Sequence, residues 1–348
     1  MRVLLRVLPA LVLVVLAGAF WFWDRATPPH DAWGTSAVAQ AAPAPQVTAA
    51  APAPQFTPTR PALPPSPRTP VVQPPSPRGS PTPAPTVVVP TPTAPPLGPV
   101  AAERCFPQTG FCIRDDQFWE YFNARGAVRT FGYPISRKFL LNGSQVQFFQ
   151  RLVMEIQPQG VGTLNLLDPG LMPYTRINGS VFPDVDEELK NATPPVGSPT
   201  YATDIEAFIQ ANAPEEWNGL PVQFWTTFRT TVPEGTVPPN LVTLANLEIW
   251  GAVISRPAYD PTNQGFVYQR YQRGIMHYRQ ECRCTEGLLM AEWFKTLITG
   301  VGLPGDLAAQ AADSVWIRQY NNANELGLNR PGQLPNTNMR FAFEPDMP

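Results

Sequence analysis

Histidine is nearly absent from this 348-residue chain: His30 and His277 are the only two. That excludes multi-histidine metal sites and any mechanism needing two imidazoles side by side. Charge is scarce as well. Asp, Glu, Lys and Arg make up 15% of the residues and sum to a net charge of −2, against about a quarter of residues in an average soluble protein. The electrostatic footprint of a nucleic-acid-binding surface is therefore missing. No nucleophile elbow, phosphate loop, dinucleotide fingerprint or zinc-protease motif occurs. No cofactor is implied, and the reading leans away from an enzyme.

Proline is what the chain has in excess. Of its 45 prolines, 21 fall between Ala41 and Val100, three precede Ala41, and 21 lie in residues 101–348. Residues 41–100 carry three arginines, no acid, and otherwise mostly Pro, Ala, Thr, Val, Ser and Gln. Such a segment cannot bury enough apolar surface to offset the entropy of ordering it, and its backbone favours extended polyproline II. At about 3.1 Å per residue its reach is at most about 190 Å. Residues 26–100 are thus expected to be a disordered, proline-rich linker. Its two Pro-Pro-Ser-Pro-Arg segments, at 64–68 and 74–78, read either as docking motifs or as low complexity inside a spacer.

Ahead of the linker, Val7–Trp23 runs for 17 residues without a charge, preceded by Arg2 and Arg6. As a helix it would cover about 26 Å, the short end of what spans a bilayer. The basic flank orients the N-terminus inward. Residues 1–25 read as a signal anchor or a signal peptide. Cleavage after Ala19 would leave Phe20-Trp21-Phe22-Trp23 as a soluble terminus, whereas in an uncleaved anchor those rings suit the headgroup region. The expected location is the cell membrane, single-pass, with the C-terminal part extracytoplasmic; the alternative is secretion after cleavage.

Within residues 101–320 the chain resembles itself. Phe131–Arg137 matches Trp250–Arg256 at an offset of 119, and Phe149–Ile156 matches Tyr271–Tyr278 at an offset of 122. The three extra residues lengthen a turn. Asp115–Arg125 has helical spacing of Phe118, Trp119 and Phe122, with acids in its first turn. Gly132-Tyr133-Pro134 ends the helical region, and Val146–Ile156 and Gly265–Tyr278 read as strands. Asp260–Gly265 supplies turn chemistry for a hairpin loop. The predicted fold class is α+β: two pseudo-repeats of helix, Gly-aromatic turn and β-hairpin, with cores at 115–158 and 240–280 and additional C-terminal helices. Further helices are predicted over Thr200–Ala213, Thr285–Thr299 and Pro304–Ser314, with Val222–Phe228 a strand or short helix. Residues 321–348 read as an irregular C-terminal tail that wraps.

Phe131–Ser136, followed by a strand ending in Phe149-Gln150-Arg151, resembles the LGFP-type repeats of exported bacterial cell-envelope proteins. The region is also similar to a bacterial group with Cys-flanked segments of the kind seen in Cys105–Cys112, and so are Phe266–Tyr278 and Gly287–Lys295. The resemblance implies attachment to, or organisation of, the envelope, and no catalytic residue. The second unit carries Ala252-Val253 where the family has an aromatic-proline pair.

An exported chain with four cysteines, Cys105, Cys112, Cys282 and Cys284, is expected to form disulfides. Cys105 and Cys112 enclose a short loop suited to a local bridge. Cys282 and Cys284 either bridge directly or cross-pair with the first two; zinc held by four thiolates is a weaker option, since the spacing is not that of a zinc ribbon. Asp184–Glu188 is an acidic run that reads as the first turn of a helix. Glu155 and His277 occupy equivalent places in the two units and either meet as acid and base or sit on the outward face of their strands.

Residues 101–348 hold six Trp, nine Tyr and 16 Phe. Flat aromatic faces with Arg and Gln nearby suit sugar rings, unless the rings form the core and the guanidiniums stack on them. The candidate ligand-binding residues are Gln150, Arg151, Tyr268, Gln272 and Arg273; no catalytic or metal-binding residue is assigned. The expected function is a membrane-anchored, extracytoplasmic, non-enzymatic protein whose repeats bind cell-wall or surface polysaccharide or an envelope partner. The alternatives are a glycan hydrolase using a carboxylate pair that includes Glu155, or a self-assembling structural subunit.

Overall fold

The structure, a computed structural model, describes residues 97–347. The apolar run Val7–Trp23 lies outside the described residues, as does the proline-rich linker up to residue 96. The described part is mixed α and β, with eight α-helices and four small antiparallel sheets. Among the described residues no helix is long and apolar enough to cross a membrane.

A short hairpin, β1 (Cys105–Phe106) and β2 (Phe111–Cys112), opens the fold and is closed by the Cys105–Cys112 disulfide. Helix α1 (Asp116–Ala124) begins where Asp115 accepts hydrogen bonds from the Gln117 and Phe118 amides, satisfying two of the donors a helix start leaves open. It buries Phe118, Tyr121 and Phe122. Helix α2 (Ala127–Phe131) stops at Gly132, whose φ of 76° and ψ of −172° lie in a region essentially reserved for glycine. The chain then meanders through β3 (Phe139–Leu141), β4 (Ser144–Phe148), β5 (Val153–Gln157) and β6 (Gly160–Thr163). Asn142 and Gly143, both at positive φ, make the tight turn between β3 and β4.

The small hairpin β7 (Arg176–Ile177) and β8 (Ser180–Val181) leads to α3 (Glu187–Asn191), α4 (Tyr201–Asn212) and α5 (Phe224–Arg229). The acidic run supplies the start of α3: Asp186 accepts from the Leu189 amide, and Glu187 and Glu188 occupy the first turn. Helix α6 (Val242–Trp250) stops at Gly251, with φ 70° and ψ −173°. A second four-stranded meander follows: β9 (Ala258–Tyr259), β10 (Phe266–Arg270), β11 (Ile275–Arg279) and β12 (Cys284–Gly287). The loop 260–265 closes β9 onto β10, with Asp260 accepting from the Thr262 amide and hydroxyl. The segment 265–278 is itself folded back at Tyr271–Gly274.

One predicted helix is shorter than expected. Residues 284–287 pair with β11, Met276 opposite Gly287 and His277 opposite Glu286, so helix α7 covers only Met290–Thr299. The open edge of β11 offers partners to these backbone groups that the local helical pattern does not reveal. Helix α8 is Gly305–Gln310.

Side chains alternate across the strands, and both faces are covered. Met154, Val267, Met276 and Tyr278 point into one core with Phe118, Phe122, Phe131, Phe224, Phe228 and Trp250. Val153, Phe148, Tyr268 and Ile275 point into a second core with Phe294, Trp316, Leu334 and Met339. Residues 321–348, expected as a tail, complete that second core with Leu328, Leu334, Met339 and Ala342. The Asp346 side chain, 1% exposed, accepts from the Cys112 amide and pairs with Arg114 and Arg137. This joins the end of the chain to its first hairpin.

Candidate functional site

The two meanders are held by the same bonds at displaced positions. Gln150 Oε1 accepts from the Tyr133 amide at 3.1 Å, and Gln272 Oε1 from the Ala252 amide at 3.0 Å. The Ser136 hydroxyl accepts from the Phe148 amide and the Ser255 hydroxyl from the Arg270 amide, both at 2.8 Å. Gln147 and Gln269, both buried, donate to the Ser136 and Ser255 carbonyls. The Arg151 amide donates to Phe131 O and the Arg273 amide to Trp250 O. Gln150 and Gln272 lie so close over Gly132 and Gly251 that a Cβ there would approach their own Cβ atoms to 2.7 and 2.5 Å.

The helices in front of the meanders also correspond. Gln117–Phe122 reads Gln-Phe-Trp-Glu-Tyr-Phe and Gln223–Phe228 reads Gln-Phe-Trp-Thr-Thr-Phe. Trp119 stacks with Phe122 and Trp225 with Phe228; Phe122 stacks on Phe149, and Phe228 on Tyr271. This pair of hexapeptides is the signal that inspection of the meanders alone passes over.

Each meander sends one arginine to the last strand of the other. Arg151, in the β4–β5 turn, donates through Nε to Gly287 O at 3.1 Å and pairs with Glu286 at 3.1 Å. Arg273, in the β10–β11 turn, donates through Nη1 to Thr163 O at 3.0 Å and Thr163 Oγ1 at 3.1 Å. Thr163 faces Met154 across its ladder and Gly287 faces Met276, so the two acceptors are matching positions.

Beside Arg151 the two units leave a cleft of about 420 Å³. Val128, Arg129, Thr130, Tyr133, Gln150 and Arg151 line it from the first unit; Thr227, Thr231, Trp250, Thr285, Glu286 and Gly287 line it from the second. Trp250 donates through Nε1 to the Thr231 hydroxyl at 2.8 Å. Its ring passes so close to Gly287 that a Cβ there would lie 2.6 Å from it. Thr130 and Thr285 donate to the carbonyls of Thr231 and Val222. Arg129 is exposed and donates through Nη2 to both Thr230 O and, at 3.2 Å, Thr230 Oγ1.

Glu286 is the one carboxylate among the lining residues. It pairs with Arg151 and with Arg279 at 2.9 Å, and its Oε1 lies 3.5 Å from His277 Nε2. Burial raises its pKa, but His277, Arg151 and Arg279 together pull it below the usual carboxylate range. His277 packs edge-on to Phe266 and Tyr268, with both ring nitrogens buried and neither in hydrogen-bond geometry. Burial pushes its pKa down, and Glu286 opposes this only in part.

Two of the five candidate binding residues, Gln150 and Arg151, therefore line the cleft. The other three do not. Tyr268 belongs to the second core, edge-on to Phe182 at 4.9 Å, and burial pushes its phenol up to about 12. Gln272 braces Ala252, and Arg273 is occupied at Thr163. Glu155 and His277 stand on separate sheets, each opposite in direction to a buried methionine, and no hydrogen bond or ion pair joins them among the described residues. Glu155 accepts from Gln157 at 2.6 Å. The cysteines pair locally, Cys105 with Cys112 and Cys282 with Cys284. Among the described residues no group of three or more His, Cys, Asp or Glu side chains could hold a metal ion.

Comparison with protein-family models, with curated proteins and with solved structures finds no match for this chain.

Proposed function

We propose that this chain is a membrane-anchored, extracytoplasmic, non-enzymatic envelope protein whose C-terminal region binds cell-wall or surface polysaccharide. The observation that carries the reading is the cleft beside Arg151. It joins two aromatic residues, Tyr133 and Trp250, to two arginines, a glutamine and four threonines within one concavity, a mixture suited to the apolar faces and hydroxyl rims of sugar rings. In this reading Val7–Trp23 anchors the chain and the proline-rich segment holds the binding region away from the membrane. The LGFP-like resemblance of Phe131–Ser136 points to the same compartment. We infer further that the two units are copies of one helix, glycine-turn and hairpin motif; the support is the recurrence of their bonds at matching positions.

Binding rather than hydrolysis is favoured by Glu286. It is the single carboxylate lining the cleft, and it is held ionised among three cationic or protonatable groups, whereas glycoside hydrolysis ordinarily calls for a carboxyl pair, one member protonated. The test is retention of the full chain, kept in detergent, on purified cell-wall polysaccharide. Clear retention, reduced by Arg151→Ala, is expected. Retention no greater than that of an unrelated acidic membrane protein sinks the reading.

A further inference from the structure

The cleft has a filled counterpart elsewhere in the same chain, and the comparison indicates what chemistry fits the open one. Around Arg273, the positions matching the cleft are occupied by the protein itself. Tyr121 stands where Thr227 stands at the cleft, by the match of Gln117–Phe122 with Gln223–Phe228, and Arg125 stands where Thr231 does. Glu248 stands where Arg129 does, by the offset of 119 that relates Phe131 to Trp250. The Tyr121 hydroxyl donates to Glu248 Oε1 at 2.5 Å, and Arg125 pairs with Glu248 Oε2 at 3.1 Å. A six-membered ring and a cation thus fill this half and meet its carboxylate.

At the open half all three positions are changed. The ring and the guanidinium that fill the counterpart are replaced by two threonines, and the carboxylate is replaced by an exposed arginine. The cleft there measures about 420 Å³, enough for one or two pyranose rings at the lower end of ligand-pocket size. The polarity required of an occupant is inverted with the arginine. Where Glu248 meets a hydroxyl and a cation, Arg129 calls for an anion, and a guanidinium fork is matched to a carboxylate. Glu286 does not answer that demand, because Arg151 and Arg279 already engage it.

We propose that the cleft takes a carboxylate-bearing sugar residue, its ring in the volume that Tyr121 and Arg125 fill in the counterpart and its carboxylate on Arg129. This rests on the glycan-binding reading above and narrows it to acidic saccharides. A uronic acid of a surface polysaccharide and the lactyl carboxylate of a muramic acid unit both present this chemistry.

Titration calorimetry on the full chain in detergent distinguishes the possibilities, with three probes: trigalacturonate, its carboxyl-reduced trigalactose, and the disaccharide of N-acetylglucosamine and N-acetylmuramic acid. At least one acidic probe is expected to bind about tenfold or more tightly than trigalactose, as one charge-assisted hydrogen-bonded pair provides. Which acidic probe binds identifies the source. Arg129→Glu, a change on an exposed side chain, is expected to remove the preference. Thr227→Tyr, at a half-buried position bordering the cleft, is expected to abolish binding while the unfolding transition persists. Equal affinity for trigalactose overturns the inference and leaves the broader glycan reading standing. Unchanged acid preference in Arg129→Glu overturns it too. Absence of binding by all three probes together with no retention on wall polysaccharide removes both.

Discussion

Arg151 and Arg273 reach across the described region in opposite directions and end on matching carbonyls, Gly287 O and Thr163 O. The two four-stranded meanders therefore hold each other by a reciprocal exchange. Arg273→Ala leaves the Thr163 carbonyl and hydroxyl without their donor inside the fold, at an expected cost of about 1–3 kcal/mol. Arg151→Ala is expected to cost less, because its side chain borders the cleft and water replaces the lost donor there. Urea unfolding of the two variants checks the order; a larger loss for Arg151→Ala contradicts it.

Gly251 and Gly132 make a second prediction. Each combines positive φ with ψ near 180° and a side-chain amide pressed against the missing Cβ. Gly251→Ala carries the backbone cost of about 1–3 kcal/mol for this region and in addition must displace Gln272 from the Ala252 amide. We expect loss of folded protein, or a large drop in thermal midpoint. Near-normal unfolding of Gly251→Ala is the contrary result.

His277 gives the fold a pH dependence of defined sign. Burial holds its folded-state pKa below the ordinary value near 6.5, so the unfolded chain takes up a proton first. Its contribution to stability is fully present above about 6.5 and is lost as the pH falls from there through the lower folded-state value. Glu286 contributes to the pH dependence below its ordinary value of 4.5, because its own folded-state pKa is also lowered. Unfolding free energy should therefore decline as the pH falls below about 6.5 in the native protein and stay flatter in His277→Gln. Parallel profiles for the two proteins would refute the assignment.

The two disulfides are expected to differ in what they contribute. Cys105 and Cys112 are seven residues apart, and Cys282 and Cys284 only two. Closing the longer loop removes more freedom from the unfolded chain, about 2–3 kcal/mol in the chain-entropy account. Replacing Cys105 and Cys112 by serine should lower the thermal midpoint by several degrees, since the same hairpin also anchors Asp346 through the Cys112 amide. The Cys282→Ser and Cys284→Ser pair should move it little. Differential scanning calorimetry of both double variants decides between this order and its reverse.

Much of the local structure is legible in the chain. Helical spacing and an Asp at its start place α1, the acidic run after Asp184 places α3, and Asn142-Gly143 marks a tight turn, because each depends on residues a few positions apart. Gln150 and Arg151, which line the cleft, stand out in the sequence by their recurrence as Gln272 and Arg273. What recurrence could not separate was function from support: both glutamines brace a glycine turn, and one arginine borders a cleft while its twin is enclosed. Tyr268 lies away from the cleft because alternation along β10 turns it into the second core. The Thr285–Thr299 pattern failed as a single helix because its first residues answer β11, a partner absent from local sequence.

The sequence by itself determined the starts of helices such as α1 and α3, the tight turn at Asn142-Gly143, the local disulfide-capable spacing of its cysteines, and the recurrence of short segments such as Phe131–Arg137 in Trp250–Arg256, since these are properties of short range or of direct comparison. Only the tertiary structure decided that the halves are not equivalent where they meet. Tyr121 and Arg125 fill one side and Thr227 and Thr231 leave the other open. Tyr121 and Arg125 lie 127 and 123 positions from Glu248, the residue they meet, and such volumes acquire meaning only when both sides of the contact are brought together.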